Sequence, residues 1–119
     1  MSYGLIRDTV SKTLTSESTV LIELPVNNVE FLTVELETVG SPLLAFSIKM
    51  KGHNASPFAT MFSTADDFSN PKGLLRGASC DLTTLNGTGW LMLDVRGIAD
   101  VCVTASSSNS TDITVRVGG

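Results

Sequence analysis

Basic residues, aromatics and histidine are all scarce in this sequence, and each shortage removes a class of function. Eight Lys and Arg stand against twelve Asp and Glu, for a formal net charge of −4 and a pI of about 4.7. The cations are scattered, so no basic run could follow a phosphate backbone, and nucleic acid is not an expected partner. One histidine occurs, His53. A Ser-His-Asp triad would have to use it, and no glycine-bounded serine nucleophile accompanies it. Zinc needs three or four His, Cys or acidic ligands. His53, Cys80 and Cys102 would meet only by a coincidence of folding. No metal, no cofactor and no enzymatic activity are expected.

Long apolar runs are missing too. No stretch approaches the ~20 residues of a membrane span, so no membrane partner is expected. The opening Met1-Ser2-Tyr3-Gly4-Leu5-Ile6-Arg7-Asp8 lacks the basic-then-apolar order of a signal peptide. The expected setting is a reducing, cytoplasm-like compartment, with Cys80 and Cys102 as free thiols and Cys102 as a small core residue. The sequons beginning at Asn54, Asn86 and Asn109 are then chance products of a Ser/Thr/Asn-rich chain.

What is present is enough for one folded domain. The chain has 119 residues, of which 42% are hydrophobic and 17% charged. A chain of this size buries roughly 65% of its unfolded surface, so a core can form without disulfides or metal. A surface rich in Ser, Thr, Asn and Gly suits a protein that packs into an assembly.

Alternation of period two dominates the pattern. In Thr19–Leu24 it places Val20, Ile22 and Leu24 on one face. In Phe31–Leu36 it places Leu32, Val34 and Leu36 inward and Thr33 and Glu35 outward. In Leu44–Lys51 it places Leu44, Phe46, Ile48 and Met50 inward. A helix would set Leu44 and Phe46 about 200° apart and could not bury both. Pro25, Asn27-Asn28, Gly40-Ser41-Pro42 and Asn86-Gly87-Thr88-Gly89 punctuate these runs as turns. Phe58–Phe62 and Cys80-Asp81-Leu82 read as short strands. Glu23, Glu35 and Glu37 are outward positions expected to pair across strands with Lys49 and Lys51.

The final third, Gly89–Val117, is strand, corner, strand, Ser-rich turn, strand. Leu91, Leu93 and Val95 share one face, and Trp90, Met92 and Asp94 the other. The expected fold is all-β: an antiparallel β-sandwich, jelly-roll or immunoglobulin-like, of about seven to eight strands over residues 19–119. Residues 1–18 precede it. Leu5, Ile6, Val10 and Leu14 are spaced weakly like a helix, diluted by Ser and Thr. This segment is either a flexible start or an arm that orders on a neighbouring subunit.

Two carboxylate groupings and one aromatic residue stand out as further candidates. Asp66, Asp67 and Asn70 are oxygen-rich but lack the spacing of a dedicated calcium loop. Glu23 and Glu35 alternate with apolar residues as ordinary outward positions do, which gives no ground for a glycosidase pair. Trp90, the single Trp, reads as a subunit-interface or core anchor, or as a sugar-stacking platform.

The run Gly89-Trp90-Leu91-Met92-Leu93-Asp94-Val95-Arg96-Gly97-Ile98-Ala99-Asp100-Val101, followed by Thr111-Asp112-Ile113-Thr114-Val115-Arg116-Val117, resembles small virion proteins of tailed bacteriophages. These are β-sandwich capsid decoration (cement) proteins and related head or tail proteins. The resemblance covers about the last third of the chain and carries no catalytic residues. It implies a noncatalytic viral structural protein, made in the host cytoplasm and placed on the capsid surface of the virion. Its partners would be the major capsid protein and itself, as a homo-oligomer with a trimer favoured. The candidate interface residues are Leu5, Ile6, Trp90 and Met92. The alternative functions are a carbohydrate-binding β-sandwich module and a tail or head-fibre component.

Overall fold

The alternating runs fold as strands. The structure is a computed structural model that describes residues 7–14, 19–27, 29–40, 43–63, 75–78, 88–107 and 110–119. Its strands are β1 (Arg7–Leu14), β2 (Thr19–Pro25), β3 (Phe31–Gly40), β4 (Leu43–Lys51), β5 (Ala59–Ser63), β6 (Leu75–Ala78), β7 (Thr88–Asp94), β8 (Asp100–Ser107) and β9 (Thr111–Gly118). They form a five-stranded sheet in the order β1-β9-β3-β7-β6 and a four-stranded sheet in the order β2-β8-β4-β5. Every pairing is antiparallel.

This order decides between the two sandwich types left open by the sequence. The pairs β1–β9, β2–β8, β3–β7 and β4–β5 are the rungs of one long antiparallel ribbon. Rolling that ribbon up adds β3–β9 and β4–β8. The product is two nested Greek keys, the jelly roll, with β6 added at the edge beside β7. An immunoglobulin-type sandwich divides its strands differently.

The core lies between the sheets. Leu32, Val34 and Leu36 of β3 meet Leu91 and Leu93 of β7, Ile113, Val115 and Val117 of β9, Ile48 and Met50 of β4, and Val101 and Val103 of β8. Each is fully or almost fully buried. Among the described residues, no buried side-chain nitrogen or oxygen is left without a hydrogen-bond partner, as a well-packed interior requires.

Four features depart from the sequence reading. First, Arg7–Leu14 is a strand of the sandwich, paired along its length with β9. The spacing of Val10 and Leu14 reads equally as every second strand position, and both reach the core. Second, a register shift between Val20 and Ile22 turns Leu21 inward beside Ile22 and leaves Val20 exposed. Such a bulge resets the side-chain alternation, which is invisible to a strict period of two. Third, Glu35 and Glu37 do not pair with Lys49 and Lys51, because β3 and β4 lie in different sheets. Arg116 on neighbouring β9 takes both, at 2.8 and 3.6 Å, while Lys51 pairs with Asp100 at 3.2 Å. Fourth, Cys102 is buried but belongs to the outward face of β8, in register with Glu23 and Lys49. It is a free thiol, and desolvation raises its pKa. Cys80-Asp81-Leu82, the side chains of Leu44, Phe46 and Phe62, and the Asp66–Asn70 cluster lie outside what is described.

The corner after β7 fixes one end of the sandwich. The Ile98 amide donates to the Val95 carbonyl at 3.0 Å, and Gly97 takes φ +79°, a left-handed value that favours glycine. Asp94 anchors this turn. Its carboxylate accepts from Arg96 Nε at 3.0 Å and Nη2 at 2.6 Å, from the Arg96 backbone amide at 3.2 Å, and from Arg76 Nη2 at 2.9 Å. The side-chain hydrogen bonds from Arg96 are the main cause that holds the Asp94 carboxyl well below the usual carboxylate range, with Arg76 adding to them.

Edges are guarded as well. Lys12 occupies an inward-parity position on edge strand β1, opposite the buried Ile113, and its ammonium donates to the Val20 carbonyl of edge strand β2 at 2.5 Å. A charge set inward on an edge discourages a further strand from adding there.

Two outcomes are expected. Leu91→Ala empties a fully buried site and should cost about 3 kcal/mol in urea unfolding. For Asp94, a folded pKa below the unfolded one means stabilisation that is present above about pH 4 and lost as pH falls below it. Asp94→Asn should therefore lower the melting temperature at neutral pH, and the gap to the parent protein should close in acid. A gap that persists unchanged at pH 2–3 would show that the carboxylate charge is not what matters.

Candidate interaction face

The outward face of the five-stranded sheet gathers the candidate side chains. Strand register sets them in rows. The row Thr9–Arg116–Glu35–Trp90 crosses β1, β9, β3 and β7. On one side lie Gly118, Thr33, Met92 and Gly77, then Phe31 and Asp94. On the other side lie Ser11, Thr114, Glu37 and Thr88, then Thr13, Asp112 and Val39.

Trp90 is 38% exposed, so it is not a core anchor. The far edge of its six-membered ring lies 3.3–3.4 Å from where a Gly77 Cβ would stand. The indole therefore leans across the sheet and covers the backbone of edge strand β6. A side chain at position 77 would displace it. Glycine there is explained by this close approach, and an aromatic roofing a strand glycine is a known way to protect an edge. Met92, one row away, is half-buried and borders a shallow depression formed with Phe31, Thr33, Gly118 and Gly119.

Phe31 and Val39 complete the apolar set, at 37% and 69% exposure. The Phe31–Leu36 alternation assigns neither to a face, although parity places both on this one. They have the same odd parity as Thr33, Glu35 and Glu37, so β3 begins and ends its outward face with an apolar residue. Arg96 lies over the Phe31 ring at 5.4 Å, a cation–π contact. At the middle of the face, Arg116 Nη1 donates to Glu35 at 2.8 Å. Toward the edge, hydroxyls pair as Ser11 with Thr114 at 3.1 Å and Thr13 donating to Asp112 at 2.7 Å.

The remaining candidates fall elsewhere. Leu5 and Ile6 lie outside the described residues. His53 sits in an exposed turn, where Nδ1 accepts the Ala55 amide at 3.0 Å. Among the described residues, no group of three or more His, Cys, Asp or Glu is placed to hold a metal ion. Among the described residues the face is a flat, mixed apolar and charged surface, and its depression beside Met92 is shallow.

No protein-family model and no curated protein matches this sequence. Solved structures resemble it at the level of fold. The crystal structure of the SPBc2 prophage-derived protein YomS aligns over 96% of each chain with a TM-score of 0.56 and 15% sequence identity. Looser likenesses are a chain from disulfide-linked pili of Bacillus endospore appendages, with a TM-score of 0.46 and 8% identity over 99% of this chain and 89% of that one, and one from the capsid of Helicobacter pylori bacteriophage KHP30, with a TM-score of 0.37 and 13% identity over 97% and 88%.

Proposed function

We propose that this chain is a noncatalytic structural protein of a bacteriophage particle, a decoration protein that binds the outside of the head and reinforces it. The observation that carries this reading is the likeness of fold, over 96% of each chain, to a prophage-derived protein. The outward face supports it. Phe31, Trp90 and Val39 are exposed apolar side chains on a rigid sheet, with charges around them, which suits contact with a broad protein surface better than enclosure of a substrate. The major capsid protein is the partner. Contacts of modest strength suffice there, because a shell presents many equivalent sites and linked sites add avidity.

The test is co-sedimentation of the purified chain with expanded, DNA-free heads assembled from the major capsid protein encoded nearest to it. Saturable binding at a fixed ratio to capsid subunits, with a higher temperature of head disruption, is the expected result. A chain that stays in the supernatant at every ratio would refute the proposal.

One observation favours a second reading, a carbohydrate-binding module. Trp90 is exposed beside the paired, planar Glu35 and Arg116 side chains, and sugars stack on aromatic faces and bond to such groups. Because Trp90 is the single Trp, its emission reports directly on that surface. Titration with cellohexaose and chitohexaose should quench or shift it saturably if this reading holds, and Trp90→Ala should remove the binding. An unchanged spectrum with both would dismiss it.

A further inference from the structure

Three of the four large hydrophobic side chains exposed among the described residues lie on the outward face of the five-stranded sheet: Phe31, Trp90 and Val39. Their positions share a symmetry. On β3, Phe31 and Val39 stand equally far from Glu35, at opposite ends of the strand. Trp90 lies directly across from Glu35 on β7. A two-fold axis in the plane of the face, at right angles to the strands and over the Glu35 row, has a defined effect. It would lay Phe31 of one copy against Val39 of another, Val39 against Phe31, and Trp90 against Trp90.

The charges do not oppose this symmetry. At the Phe31 end, Arg76 and Arg96 are balanced by Asp94, which both contact, and by Glu30, whose charge acts on Arg96. Toward the Val39 end, Glu35, Glu37 and Asp112 outnumber Arg116. The two-fold sets the balanced end of each copy over the acidic end of the other, so no two like-charged ends meet. The two Glu35 carboxylates come near the axis already paired with Arg116 at 2.8 Å.

The size is adequate. The rows from Phe31 to Val39 span about 27 Å at ~3.3 Å per residue, and five strands at ~4.8 Å span about 24 Å. That is roughly 600 Å² in plan on each copy, more as accessible area, and the total over two copies clears the ~1,000 Å² expected of a specific interface. Face-to-face sheets pack with their strands nearly aligned, as this axis requires.

We propose that the outward face of the five-stranded sheet docks a second copy of this chain, forming an isologous two-fold dimer centred on the Trp90–Glu35–Arg116 row. This deepens the proposed function by naming a partner, and it differs from the trimer implied by the resemblance to cement proteins. The self-complementary surface is closed by one operation, as a cyclic dimer demands.

Sedimentation velocity on the full chain tests it. The expected mass is twice that of the 12.6 kDa chain, with Trp90 emission moving to the red on dilution. Val39→Arg changes a side chain 69% exposed, so the fold should survive, as judged by an unchanged circular dichroism spectrum. It places a cation beside the partner's Phe31 and Arg96, and should weaken the dimer at least tenfold. Trp90→Ala should do the same. Any mass other than two chains, or a dimer that Val39→Arg leaves intact, overturns the proposal. The outcomes are separable from the head-binding test: a monomer that binds heads refutes the dimer alone, and a dimer that ignores heads refutes the decoration role alone.

Discussion

Everything in this molecule depends on the antiparallel ladder that two late strands make with four early ones. Strand β9 is inserted between β1 and β3, and β8 between β2 and β4. Remove either and a sheet falls into two pieces whose edges carry unpaired amides and carbonyls. The cost of leaving such groups unsatisfied in a dry interior makes the two insertions the condition for a core. Strand β8 shows how complete the enclosure is. Every residue from Val101 to Ser107 is buried, the odd positions between the sheets and the even ones sunk between β2 and β4. Only small side chains fit the outward positions: Cys102, Thr104 and Ser106. The Thr104 hydroxyl closes against Ser47 at 2.5 Å.

That framework also explains why the candidate face is rigid. Its rows are held by ladders on both sides of β3 and β9, and β7 carries Trp90 and Met92 on the strand next to β3. The side chains that face solvent are therefore set by the same register that buries Leu32, Val34, Leu36, Leu91 and Leu93. Alternation makes the two faces inseparable: a slip of one residue would bury Glu35 and Trp90 and expose the core. Surface and interior are specified together, by one pattern.

The legible part of this fold was the part governed by period two. The corner at Arg96-Gly97, the inward Leu and Val of β3 and β7, and the outward Trp90 and Met92 are all legible directly. What escaped was information of longer range. Glu35 finds Arg116 rather than Lys49 because of sheet order, which no local window contains. Jelly-roll and immunoglobulin sandwiches share their strand patterns and differ in connectivity. The bulge at Leu21 broke the parity of β2, and Arg7–Leu14 was misjudged because Ser and Thr diluted a two-residue spacing that an edge strand needs only weakly. Phe31 and Val39 follow from the same alternation once β3 is known to run on to Gly40, beyond the Phe31–Leu36 span that the pattern alone marks out.

The insertion of β9 has a consequence during synthesis. Residues 111–118 leave the ribosome after every other described strand, yet they form the seam that joins β1 to β3. Until they emerge, β1 has no ladder partner and β3 can hold only β7. Strands with bare edges and alternating Leu and Val stay in water for as long as elongation takes. Long-range pairing of this kind folds slowly and is exposed to aggregation while it waits. The scarcity of long apolar runs, and the charges interleaved through β3 and β4, protect such a nascent chain from aggregation until β9 arrives.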